Sequence, residues 1–229
     1  MKRSKIIIDL IRNDINIVQA MDVLKLLLLD INDKKITKWL DCEINGYSDK
    51  EKIPDYRIVD TDITGDYIVG NYLTGGLQAK NHPIPIKPEY VKELITLEIR
   101  YGISEIYQYS LQEKDENKQS IFIPVHLAYI KQASMINGEI ISAHRNIGLY
   151  AFTNIIGKIK NKVLDILIEL EKKYGNLDNY YIDFTNKKEK QEVAQSITNI
   201  INDNSTHIGN DNQIKSSNVG VENENWNWK

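Results

Sequence analysis

Apolar side chains recur every three or four residues through the first part of the chain, and polar breaks divide that pattern into helices. Lys5 to Arg12 has the composition of a short helix, and Asn13-Asp14-Ile15-Asn16 breaks it while supplying N-cap residues for the next. In that second helix Ile17, Met21, Leu24 and Leu28 step by four, three and four. Val18, Val23, Leu26, Leu27 and Leu29 widen the stripe until little is left for solvent, which predicts a buried core helix. Asn32 and Asp33 end it. Lys35 to Asn45 then carries Ile36, Trp39, Leu40 and Ile44 on one face and Lys38, Asp41 and Asn45 on the other. Gly46 is predicted to stop this helix in an αL conformation, which costs little without a Cβ, and Pro54 restarts the chain as an extended segment.

The period then changes. Tyr56 to Ile63 and Asp66 to Leu73 are rich in β-branched and aromatic residues, with Thr64-Gly65 between them and Thr74-Gly75-Gly76 after them, so two antiparallel strands are expected. The prolines of Asn81-His82-Pro83-Ile84-Pro85-Ile86 predict a surface connection. Pro88 suits a first helical position, and Tyr90, Val91, Leu94, Ile95 and Leu97 predict a helix ending near Gly102, with another turn or two over Ile103 to Leu111. Gln112 to Gln119 lacks periodicity and reads as a loop. Ile121 to Pro124 reads as extended, Val125 to Ile136 as a helix stopped at Asn137-Gly138, and Glu139 to Ile147 as a strand. The clearest element is a helix over Tyr150 to Tyr174. Phe152, Ile155 or Ile156, Ile159, Val163, Ile166 or Leu167, Leu170 and Tyr174 mark its apolar stripe, and Lys158, Lys160, Lys162, Lys172 and Lys173 are expected to face water.

From Asn176 the apolar content thins. Thr185 to Ile201 keeps one stripe, Val193, Ile197, Ile200 and Ile201, behind a capping-box spacing at Asn186 and Glu189; this helix either packs on the domain or pairs with a partner. Residues 203–229 are dominated by Asn, Asp, Ser and Gly, with isolated Ile208, Ile214, Val219 and Val221 and a Trp226-Asn-Trp228-Lys ending. The run from Ile208 to Gly220 has the pattern of one short β-rung. A single rung cannot bury its own apolar side, which leaves disorder or a stack of copies as the two readings. Two tryptophans in so polar a stretch point to contact, so Ile208, Ile214, Val219, Trp226 and Trp228 are the candidate interaction residues, for a homo-oligomer or a docked partner protein. The expected class is therefore α+β. It comprises an N-terminal helical hairpin-like region, a small antiparallel sheet and a long C-terminal amphipathic helix within residues 1–175, a linker and helix over 176–202, and the polar tail over 203–229.

Composition narrows the function classes. Over 229 residues, 41% apolar and 27% charged content is that of an ordinary globular protein, and a net charge of −3 gives no global attraction for nucleic acid. Lys158, Lys160 and Lys162 spread over more than one helix side and Glu189 interrupts Lys187, Lys188 and Lys190, so a duplex-binding surface is not expected. Cys42, the one cysteine, permits no intrachain disulfide and suits a reducing cytoplasm. The apolar runs Ile6 to Ile8 and Leu26 to Leu29 are far shorter than the roughly 20 residues of a membrane span, and no signal peptide is legible. His82, His126, His144 and His207 lack metal spacing, and neither a phosphate-binding Gly-rich loop nor a Gly-x-Ser-x-Gly elbow occurs; no cofactor and no metal are expected.

Chemistry concentrates between Trp39 and Arg57. Glu43, Tyr47, Tyr56 and Arg57 read either as a polar pocket for a ligand or as a brace in which Glu43 pairs with Arg57 to hold a helix-to-strand elbow. Metal-dependent cleavage would draw on Asp55, Asp60 and Asp62 near the first strands, although no Glu-x-Lys follows on a strand. His144 and Arg145, at the end of a predicted strand, are the candidates for acid–base work or phosphate contact.

The elbow resembles the AbiTii domain of bacterial abortive-infection proteins, in which a helix carrying Trp-Leu-x-x-Glu-x-x-Gly-Tyr runs into Pro-x-Tyr-Arg. The matching residues are Trp39, Leu40, Glu43, Gly46, Tyr47, Pro54, Tyr56 and Arg57. The late helix is similar too, with Lys160 and Lys162 where the family carries arginines, and the resemblance covers about residues 1–175. It implies antiphage defence, with arrest of host growth as one route, and supplies no catalytic residue. The leading expectation is a sensor or interaction protein without a catalytic motif that assembles or docks through its tail. The rival is a toxin enzyme of the same defence, such as a metal-dependent nuclease or another activity directed at nucleotides or nucleic acid.

Overall fold

The computed structural model describes residues 3–70, 75–113 and 120–202. Helix α7 (Tyr150–Tyr174) runs through the middle of the larger core, with Phe152, Ile155, Ile159, Val163, Ile166, Leu167 and Leu170 all buried. Around it pack α1 (Lys5–Arg12), α2 (Ile17–Leu27) and α5 (Ile103–Gln112). Asn16 caps α2 as expected: its side chain accepts from Gln19 N at 2.9 Å while the Gln19 side chain accepts from Asn16 N. The helix is less buried than its sequence predicts. Leu26 and Leu29 are 51% and 66% exposed, because only Ile17, Ala20, Met21, Leu24 and Leu27 face α7 and the last residues of the run tighten into a separate 3-10 turn, Leu29–Ile31. Asp33 then caps α3 (Lys34–Asn45) through the Lys35 and Ile36 amides.

The β region differs from expectation in three places. Thr64-Gly65 is not a turn: both residues lie within β2 (Asp62–Val69), which pairs antiparallel with β6 (Gly138–Gly148) on one side and β3 (Leu77–Pro83) on the other. Gly65 is required there by close approach, since a Cβ would stand 1.9 Å from Ser142 O. Asn81 to Pro83 belongs to the end of β3, which is an edge strand and so tolerates Pro83; the predicted surface connection begins only after it. The helix from Pro88, α4 (Pro88–Ile95), ends early, because Thr96 turns extended and β4 (Thr96–Glu98) pairs with β1 (Ile58–Asp60). With β5 (Ser120–Pro124) the larger sheet has the order β3-β2-β6-β5.

One face of that sheet buries Ile63, Tyr67, Ile140 and Ala143 under Leu94 of α4 and Ile130 and Ala133 of α6 (Leu127–Ala133), forming a second, smaller core. The helix α6 is shorter than the predicted span from Val125 to Ile136. Two layers, helix on sheet beside a helical bundle, make the α+β architecture.

Beyond α7, Leu177, Ile182 and Phe184 fold back into the larger core, and α8 (Lys187–Asn202) lies on α7 and α3 with Val193 and Ile197 fully buried. Asn186 caps it through the Lys188 and Glu189 amides. Two residues predicted to face water are buried instead. Lys162 donates to Ile200 O at 2.8 Å near the end of α8, and Glu171 accepts from Ser4 N at 2.5 Å, from Ser4 Oγ at 2.6 Å and from Arg3. Residues 71–74, the loop at 114–119 and the tail 203–229, with Ile208, Ile214, Val219, Trp226 and Trp228, lie outside the described residues.

Candidate functional site

The elbow starts on the buried face of α3. Trp39 and Glu43 are one turn apart, so the carboxylate of Glu43 points inward behind the indole, and both it and Arg57 are completely buried. At the helix end Gly46 has φ +94 and ψ 168, an extended conformation open to glycine rather than the αL state expected. The turn also needs a bare Cα, since a Cβ would lie 2.7 Å from Arg100 O, the carbonyl that accepts from Tyr47 N at 2.8 Å. After Ile53 and Pro54, a 3-10 turn at Asp55–Arg57 carries Arg57 back under the helix.

Arg57 and Glu43 meet in a two-pronged pair. Nη2 donates to Oε2 at 2.6 Å and Nε to Oε1 and Oε2 at 3.3 and 3.2 Å, while Nη1 donates to the carbonyls of Ile99 (3.1 Å) and Tyr101 (2.7 Å). The planar guanidinium makes this possible; a lysine would present a point charge. Tyr47 and Tyr56 each donate their hydroxyl to Glu43 Oε1 at 2.6 Å, and the Trp39 indole N–H reaches Tyr56 Oη at 3.2 Å. Burial, then the negative charge of Glu43, pushes both phenols well above their ordinary range, which keeps them protonated and donating. Lys162 stands 5.5 Å from the centre of the Tyr56 ring. Glu43, Tyr47, Tyr56 and Arg57 thus come together as the sequence suggests, with their polar atoms directed at each other.

A family model described as AbiTii matches residues 4–196. This chain belongs to the AbiTii family. Its members are proteins of abortive-infection, antiphage defence, and the matched span runs through the elbow and α7 into α8. No curated protein and no solved structure matches the chain.

Within the AbiTii domain the other candidates are dispersed. Asp60 ends β1 in the small sheet, Asp62 opens β2 opposite Asn146, and Asp55 sits in the 3-10 turn at the elbow. Among the described residues no three His, Cys, Asp or Glu side chains gather as a metal site would require. His144 and Arg145, adjacent on β6, point to opposite faces of the sheet. His144 lines a shallow hollow of about 270 Å³ with Asp66, Asn81, Phe122 and Ser142. Arg145 turns under the helices, where Nη2 donates to Glu93 O at 2.8 Å.

Sequence reasoning missed Lys162, although it falls three residues after Ile159 and four before Ile166 and so lies on the apolar stripe. It also missed a cleft of about 430 Å³ on the outer side of the elbow. Lys35, Lys38, Trp39 and Cys42 line it from α3, Glu51 to Asp55 from the following loop, and Thr198, Ile201 and Asn202 from the end of α8. Burial and the neighbouring Glu51 push the Cys42 thiol up to about 11, so it is an unreactive wall at neutral pH.

Proposed function

We propose that this AbiTii protein is a binding component of antiphage defence, in which the elbow cleft receives a ligand or partner and the tail beyond Asn202 assembles copies or docks a second protein. The observation that supports it is the position of the cleft. One wall is α3, held from behind by the Glu43–Arg57 pair, and another is the last turn of α8, from which the tail departs. Lys162 bridges the two by touching the Tyr56 ring and the Ile200 carbonyl. A change at the cleft therefore has a short mechanical route to the tail. The pocket volume falls within the roughly 300–1,000 Å³ of ordinary small-molecule sites.

Filling the cleft tests this. Ile53→Arg is expected to abolish protection in a phage plaquing assay while circular dichroism and melting temperature stay close to those of the parent; full protection by that folded variant would overturn the reading.

A toxin enzyme is the second reading, and the hollow at His144, with Asp66 and Ser142 beside the imidazole, favours it. Growth arrest on expression that vanishes in His144→Ala and persists in Ile53→Arg would favour catalysis over binding.

A further inference from the structure

The charges around the elbow cleft are unevenly committed. Three lysines and two acids line it. Glu51 accepts from Ser48 N at 2.9 Å and Ser48 Oγ at 3.1 Å, hydrogen-bonds the Cys42 thiol and pairs with Lys38 at 3.6 Å. Asp55 also has a partner of its own. Among the described residues, by contrast, the ammonium groups of Lys35 and Lys52 have no hydrogen-bond or ion-pair partner. Lys35 and Lys38 are one turn apart on α3 and share a face, and Lys52 comes from the loop that closes the same space. Between these cations the walls are apolar: Ile53, Pro54 and Ile201, with the edges of Trp39 and Tyr47.

Resting on the reading of the cleft as a binding site, we infer that its ligand is a small organic anion, its charged group between Lys35, Lys38 and Lys52 and its apolar body against Ile53, Pro54 and Ile201. A cation facing only solvent gains most from a fixed anion, and a concave wall strengthens the attraction by displacing water. Glu51 contributes to this by being spent: its bonds to Ser48 and Cys42 hold it below the usual carboxylate range and away from the incoming charge. A neutral ligand would leave Lys35 and Lys52 unused, and a flat inorganic ion would leave the apolar walls unused.

The test uses the full chain and the Trp39 indole N–H, one of three tryptophan signals, as a resonance reporter. Pyrophosphate, adenosine monophosphate, anilinonaphthalene sulfonate and neutral adenosine are titrated in turn. At least one organic anion is expected to shift the Trp39 signal saturably, with affinity falling as salt rises and with pyrophosphate and adenosine weaker. The Lys35→Glu/Lys52→Glu double variant, with both changes at exposed side chains, is expected to weaken it by about tenfold or more. No shift with any anion, adenosine bound as tightly, or an unchanged affinity in the double variant overturns the inference. If Ile53→Arg still abolishes protection in those cases, the cleft remains a binding site for something neutral. If it does not, both readings fall together.

Discussion

At the scale of single residues the central fact is a fully buried Glu43–Arg57 pair with every nearby polar group turned inward. Removing one member of such a pair leaves the other charge uncompensated, at a cost of about 3–5 kcal/mol. Glu43→Gln is therefore expected to lower the melting temperature sharply, together with any protective activity. Loss of protection at an unchanged melting temperature would instead make Glu43 a ligand-contacting residue. Glu171 gives a pH-dependent counterpart. Burial alone would raise its pKa, but the bonds from Ser4 and Arg3 outweigh it and hold the carboxyl below its ordinary range. A depressed folded-state value stabilises the fold above the unfolded carboxylate pKa, and that contribution is lost as pH falls through the folded value. Acid unfolding followed by circular dichroism is expected to begin at higher pH in the parent than it would without protonation of Glu171. In Glu171→Gln the stability at neutral pH drops and the acid limb flattens; parallel curves would refute the linkage.

At the scale of elements, α8 joins the domain through Val193 and Ile197 and through the Lys162 bond to its final turn. Ile197→Ala is expected to cost about 2–4 kcal/mol from lost burial and the cavity left behind. Lys162→Met keeps the packed stem but removes the donor to Ile200 O. Amide exchange near the end of α8 is expected to speed up selectively, and uniform exchange across α8 would show that this bond does not hold the turn. The elements that resisted the sequence share one cause. The strand β2 runs through Thr64-Gly65, and α4 yields to β4 after Ile95, because pairing with β6 and β1 outweighs local turn and helix preference. Where the period was long and the partner was the chain's own core, as in α7, local pattern and structure coincide.

At the scale of the whole molecule, the family match over residues 4–196 runs past α7 into α8, and Leu177, Ile182 and Phe184 carry the larger core in the same direction. The tail is then the natural variable to remove. Deleting residues 203–229 is expected to leave the melting temperature near that of the parent while lowering the mass in solution. An unchanged mass by light scattering would rule out assembly through Trp226, Trp228 and their neighbours.

Sequence alone determined the helical core, the α+β class, the elbow signature from Trp39 to Arg57 and the family, because periodicity, caps and a spaced motif are local properties of the chain. Tertiary structure decided what those residues face. It directed the charges of the elbow at each other and buried Lys162 and Glu171. It also separated His144 from Arg145 across a sheet and brought Lys35, Lys52 and Ile201 to one cleft. Such outcomes depend on contacts between residues far apart in the chain, and no local period records them.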